Sequence, residues 1–323
     1  MNIPVVDFGA CTLDVDDITH TDLRKLSMEL ENAFTQVGFV FLQNTGITQE
    51  EVDGVMNASM KFFQQPDDLK QPFRRKTYPN CVVHGWLPFG TERVDPNKPE
   101  DLKESFNLTS LNPDIKWSTS VGFRETQTVF FQRCKELSLR ILKVISQSLD
   151  VDPDILLSAH RHIETDENLT TLRSLYYPPV KSELAKEEQL RCGEHSDYGS
   201  ITLLFQQSQG LQVRGRSGEF ILVPCIPGAV LLNIADMMQR WTSDRFVSAV
   251  HRVLLPSADD SSSRQSLVFF LMPDDDAVIS CLDGTNKYPP VRAGDYFVER
   301  LGYIYVDDDL SCRSGSQSEN DPH

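Results

Sequence analysis

From residue 171 onward the sequence breaks into short apolar runs, 171–177, 200–206, 211–214, 219–223, 228–233, 247–254 and 264–272, separated by turn-forming residues. Runs this short and this evenly spaced predict strands, and a series of them predicts a β-sandwich or barrel. Upstream the texture differs. IPVVDF (3–8) reads as a strand, and Leu23, Leu26, Leu30, Ala33 and Val37 recur at helical spacing, predicting a helix over 22–37. Gly38 stands where that helix should be capped, ahead of the strand FVFL (39–42). Thr48 and Glu51 predict a capping box for a second helix that runs to about Gln65, before Pro66. Residues 66–120, with clustered Pro, Asn and Gly, are expected to be irregular; a long amphipathic helix is expected from about Thr126 to Ser148. The polar, acidic end, 306–323, reads as a disordered tail. The layout is one composite domain: a helical and irregular region (1–120) packing on a β-rich core with its long helix (121–305).

Charge narrows the partners. Thirty-one basic against 47 acidic residues give a net charge of −16. A surface of that sign repels phosphate backbones and anionic lipid, so neither nucleic acid nor membrane is an expected partner. The seven cysteines are scattered and contain no CxxC pair, which suits reduced thiols in a cytosol. MNIPVVDFG has no secretory pattern, and no run reaches the roughly 18 apolar residues of a membrane helix. The expectation is a cytoplasmic protein, with a monomer favoured.

The chemistry gathers at CGEHSDYGSITLLFQ, residues 192–206. Side chains at i and i+2 of a strand leave the same face, so His195 and Asp197 are expected to project together from the start of a barrel strand. His251 is the third candidate, because it lies in VSAVHRVLLP between alternating apolar residues, where a lone imidazole is awkward. Two histidines and one carboxylate fit a facial non-haem iron(II) site with three coordination positions open. A plainer alternative makes His195 a cap, Asp197 a turn former and His251 a satisfied core histidine; a zinc hydrolase site is another. Arg264 and Ser266, in SRQSLVFFLMP, alternate with Val268 and Phe270 and share one face of a strand that reads as buried. An inward guanidinium calls for an anion, either a ligand carboxylate held at two points or a protein Asp or Glu.

The block from HSDYGS to SAVHRV, followed by RQS, resembles the isopenicillin N synthase-like family of Fe(II)/2-oxoglutarate-dependent oxygenases. IPVVDF, ENAFTQVGFVFLQNTGI, KFFQQPDDLK, DLKESF, LYYPP and KYPPVRAGDY match that family in kind and order. The resemblance implies a double-stranded β-helix (jelly-roll) core with helices packed on it. It implies His195, Asp197 and His251 as Fe(2+) ligands, Arg264 and Ser266 at the far carboxylate of 2-oxoglutarate, and Tyr177 at the iron-side end of that cosubstrate. The implied reaction oxidises a small-molecule metabolite with O2, by hydroxylation, desaturation or cyclisation, and releases succinate and CO2, with ascorbate as an optional reductant. Two alternatives stand beside it. One is a same-fold oxidase that uses no 2-oxoglutarate, like isopenicillin N synthase or the aminocyclopropane carboxylate oxidases; the other is a non-catalytic metabolite-binding member.

Three positions depart from the family pattern. Leu175 stands where Asn is frequent, Ala235 replaces a usual glycine in a turn behind the site, and ADDSSS (258–263) lengthens a surface loop. Phe270 is expected to line the substrate pocket, and His84 and Trp86 to cover the barrel mouth. Trp241 and Arg252 read as structural, and Lys103 and Glu104 as a solvated or ion-paired strand edge.

Overall fold

The computed structural model describes residues 2–75, 83–95, 97–257, 259–260 and 262–304; the expected tail lies outside them, as do Ala258 and Ser261 of the acidic loop. The N-terminal part contains β1 (Val5–Asp7), α1 (His20–Gln36), β2 (Phe39–Gln43), α2 (Gln49–Phe63), a single turn α3 (Asp67–Lys70), β3 (Gly85–Leu87) and β4 (Glu104–Leu108). Then come α4 (Phe123–Leu149), α5 (Pro153–Leu157), β5 (Thr171–Tyr177), β6 (Cys192–His195), β7 (Ile201–Gln206), β8 (Leu211–Arg214) and β9 (Phe220–Leu222). The chain continues with β10 (Val230–Ile234), α6 (Asp236–Trp241), β11 (His251–Val253), β12 (Arg264–Leu271), the pair β13 (Val278–Ile279) and β14 (Val291–Arg292), and α7 (Ala293–Ile304). Each of the seven apolar runs carries a strand.

Eight strands form one sheet in the order β1-β2-β10-β7-β12-β5-β4-β3, and four form a second, β6-β11-β8-β9. Together they make the double-stranded β-helix. Period-2 alternation sorts each central strand between two environments. Leu267, Phe269 and Leu271 of β12 join Leu203 and Phe205 of β7 in the core beneath α1 and α4, whereas Val268, Leu231, Phe39 and Phe41 face the second sheet. Phe131 of α4 meets Phe269 edge-on at 5.2 Å, and Phe130 meets Phe205 at 5.0 Å. Each such ring, fully removed from water, contributes roughly 1.5–3 kcal/mol.

Local signals hold the helices in register with that core. Thr19 caps α1 by accepting from Asp22 N, and Thr48 with Glu51 forms the expected capping box of α2. Gly38 sits at φ 75°, and a Cβ there would stand 2.0 Å from Val247 O, so only glycine lets the chain turn sharply from α1 into β2.

Residues 66–120 depart from the irregular structure expected of them. β4 pairs with β5 along its length and with β3 on its other side, so it is an interior strand with all five residues buried. Its polar residues hid it from any search for apolar alternation, and Glu104 is buried because it is paired. Glu104 Oε2 accepts from Lys70 Nζ and from Trp86 Nε1, both at 2.8 Å. Lys103 and Glu104 are thus ion-paired, as one expectation had it, but they lie inside the protein and not at a strand edge.

Candidate metal centre and its cavity

β6 and β11 are antiparallel neighbours whose register sets His195 opposite His251. β6 ends on His195, and Asp197 lies beyond it in the connection to β7. Strand alternation therefore does not bring His195 and Asp197 together, contrary to the expectation from their spacing. The turn does so: Asp197 O accepts from Asp236 N at 2.8 Å, and Asn233 of β10 donates Nδ2 to Asp197 Oδ2 at 2.8 Å. Oδ1 is left 3.9 Å from His195 Nε2 and 3.6 Å from His251 Nε2. One donor atom from each of the three residues lies within 4.8 Å of the other two.

The main chain selects which nitrogen faces inward. His195 Nδ1 lies 2.8 Å from Gly193 O and His251 Nδ1 lies 3.1 Å from Ala249 O, so each Nδ1 carries the proton it donates and each Nε2 keeps its lone pair. Burial, followed by the nearby His251, lowers His195 to about 3 against the pull of Asp197, which keeps this imidazole neutral. Burial pushes the Asp197 carboxyl up, but His251, His195, Asn233 and Thr202 together bring it below its ordinary value. Neutral imidazole nitrogen beside carboxylate oxygen is a donor set that fits Fe(II).

Deeper in the barrel Arg264 is 2% exposed. It donates Nη2 to Gln206 Oε1 at 3.1 Å, Nη1 to Ser266 Oγ at 3.3 Å and Nε to Ser208 O at 3.3 Å, all neutral acceptors. No carboxylate pairs with it among the described residues. A buried guanidinium held by neutral groups is a seat for an anion. Tyr177, directly across the ladder from Arg264, places its ring 5.0 Å from the guanidinium carbon. Burial raises the Tyr177 phenol despite that charge, so it remains a neutral donor.

One cavity, open to solvent, joins these groups: His195, Asp197, His251, Arg264, Ser266 and Tyr177 all line it. Phe270 and Leu175 line it too, the latter opposite Ser266. His84 and Trp86 do not. His84 is buried with Nδ1 3.3 Å from Thr109 N, and Trp86 packs in the aromatic cluster of Phe62, Phe106 and Phe123. Their burial corrects the expectation that they cover the mouth. Phe297 of α7 lines the cavity instead. Ala235 has extended backbone, φ −112° and ψ 172°, so that turn does not require glycine. Trp241 is buried, and Arg252 binds Glu194 Oε1 at 2.7 Å, both in structural roles.

Three lining polar residues escaped the sequence reading, Asn233, Asn107 and Arg173, and a fourth, Lys103, was read only as part of a strand edge. Lys103 contacts the Asp101 carboxylate, and Asp101 Oδ1 also accepts from Gly193 N at 2.9 Å, two residues before His195. The inward phase of LLNI could have exposed Asn233. Nothing in the local sequence marks Asn107 or Arg173, whose partners Val83 and Glu92 are distant in the chain.

A jelly roll with a buried His-Asp-His cluster above an anion seat defines a non-haem iron oxygenase. A family profile described as the 2OG-Fe(II) oxygenase superfamily matches residues 169–273, and one described as the N-terminal region of non-haem dioxygenases in morphine synthesis matches residues 3–125. A 2-oxoglutarate-dependent dioxygenase of Aspergillus rugulosus is 33% identical over 84% of this chain and 89% of its own length. A full-length Neurospora crassa protein solved in complex with alpha-KG and thymine is 32% identical, with a TM-score of 0.80 over 93% of this chain and 96% of that one. A structure solved with 2OG, Fe and JA is 27% identical, with a TM-score of 0.75 over 93% of this chain and 85% of its own. The chain belongs to the 2-oxoglutarate–Fe(II) oxygenase superfamily. It is an Fe(II)- and 2-oxoglutarate-dependent dioxygenase that oxidises a small molecule with O2.

Proposed function

We propose that His195, Asp197 and His251 hold the iron, that Arg264 and Ser266 take the far carboxylate of 2-oxoglutarate, and that Tyr177 contacts the same cosubstrate. The observation that carries this reading is the convergence of the three donor atoms within 4.8 Å, with both Nδ1 atoms tied to main-chain carbonyls. Bound there, iron supplies the dioxygen chemistry that couples conversion of 2-oxoglutarate to succinate and CO2 with oxidation of a substrate C–H bond. The chain's own residues position and exclude. Gly193 and Ala249 carbonyls fix the imidazole planes, Asn233 holds the second oxygen of Asp197, and Arg264 neutralises an incoming carboxylate. Val268, Leu204, Leu211 and Phe270 give the cavity an apolar lining beside these groups.

Anaerobic loading with Fe(II), followed by admission of O2 and substrate, tests the assignment. One succinate per oxidised product is expected. Product without succinate would make Arg264 the anchor of a substrate carboxylate and the protein a same-fold oxidase. Ascorbate is expected to sustain turnover without replacing 2-oxoglutarate.

The substrate is a metabolite small enough for the cavity, a reading supported by the thymine-bound Neurospora relative. We read residues 1–120 as packing on the 121–305 core, since β1 to β4 extend its larger sheet. A cytoplasmic location is supported by free thiols at Cys11, Cys134, Cys192, Cys225 and Cys281. No described helix is long and apolar enough to cross a membrane. A monomer is supported by exposed apolar side chains such as Met28, Val121 and Leu184 that stand on separate elements.

A further inference from the structure

Away from the metal ligands, the inner wall of the cavity carries two cationic side chains, Lys103 and Arg173. Unlike Arg264, both are neutralised within the protein. Lys103 contacts Asp101, Arg173 contacts Glu92, and Arg173 also donates to Ser105 Oγ at 3.0 Å. This wall is compensated in charge and gives an anion no seat.

Directly across the β4–β5 ladder from Arg173 stands Asn107. It is 4% exposed and lines the cavity. Its Nδ2 donates to Val83 O at 2.8 Å, which fixes the amide's orientation. Its Oδ1 is buried and accepts no hydrogen bond among the described residues. A buried acceptor left without a donor is costly, so it marks a place where a bound molecule supplies the N–H. Thr171, the next inward residue of β5 beyond Arg173, faces Phe270 across the β5–β12 ladder. An aromatic ring is thus set close to the polar pair, as a flat ligand would require.

We propose that the substrate is a neutral planar ring bearing an N–H of a cyclic amide or imide, which donates to Asn107 Oδ1 beside the Arg173–Glu92 pair and packs on Phe270. This rests on the reading of the cavity as a 2-oxoglutarate oxygenase site, and it adds the substrate's charge and its hydrogen-bonding edge. Asn107 is then a specificity-determining residue.

Calorimetric titration of protein loaded anaerobically with Fe(II) and 2-oxoglutarate tests it, with thymine, 1,3-dimethylthymine, glutarimide and orotate as probes. Thymine or glutarimide should bind, dimethylthymine about tenfold or more weakly than thymine, and anionic orotate no tighter than thymine. In Asn107→Leu the difference between thymine and its dimethyl form should largely vanish, a comparison that holds even if the variant is somewhat destabilised. Tighter binding of orotate, a methylation penalty that survives Asn107→Leu, or no binding of either neutral imide while 2-oxoglutarate still titrates would each overturn the proposal. Failure of 2-oxoglutarate itself to bind would instead strike the underlying assignment of the site.

Discussion

His195 and His251 are direct partners across the β6–β11 ladder, with ring centroids 4.3 Å apart. Two sheet strands therefore set the spacing of the imidazoles, and the carboxylate is brought to them by a turn.

Loss of one imidazole leaves two donors. His251→Ala is expected to weaken Mn(II) binding by about 100-fold or more. Asn233→Ala, which only releases Asp197 Oδ2, should cost about 10- to 100-fold. Calorimetry with Mn(II) measures both, and an unchanged affinity in His251→Ala would rule out this cluster as the metal site.

Arg264 is a buried charge held by neutral acceptors, so its ligand supplies the countercharge. Arg264→Ala should raise the KM for 2-oxoglutarate at least about 30-fold, as expected when one partner of a buried charge pair is removed. Arg264→Lys should recover only part of this, because an ammonium cannot reproduce the two-point grip. Succinate release against 2-oxoglutarate concentration gives the answer, and an unmoved KM would place the far carboxylate elsewhere.

Glu92 should make acid stability steep. Burial works to raise its carboxyl, but Arg173 and Lys103, with hydrogen bonds from Arg173 and Ser105, lower it to about 2 from 4.5. Because the folded value lies below the unfolded one, the stabilisation is complete above about 4.5 and is lost as pH falls through about 2. Glu92→Gln should lose roughly 3–5 kcal/mol at neutral pH, since it strands Arg173, and should show a flatter decline below pH 4.5. Urea unfolding at several pH values tests this; parallel declines for the two proteins would refute it.

Gly38→Ala should destabilise by roughly 2–4 kcal/mol, because it combines a left-handed backbone with a collision against Val247 O. A thermal midpoint equal to that of the wild type would show that the α1–β2 turn can relax.

Legibility in the sequence followed the physics of each element. Apolar periodicity located α1, α4 and the strands from β5 to β12, except β6, whose CGEH carries no apolar alternation; the Thr48–Glu51 capping box located α2. β4 was misread as a strand edge for a related reason: its Glu104 is buried by pairing with Lys70 and Trp86, which no local window contains. The metal cluster was readable as a set of residues but not as a mechanism of placement, since Asp197 owes its position to Asn233 and Asp236 and not to strand phase. His84 and Trp86 misled because a Pro- and Asn-rich stretch looked like a surface loop, whereas it folds β3 into the aromatic core.

β12 carries two rows of side chains. Arg264, Ser266, Val268 and Phe270 look into the cavity, and Leu267, Phe269 and Leu271 look into the helix-covered core. Inserting a single residue would exchange the rows, so cosubstrate grip and helix anchorage would fail together. Point substitutions in the inward row leave the outward row undisturbed. Descendants of this chain can thus retune what the barrel accepts while the scaffold beneath it stays the same.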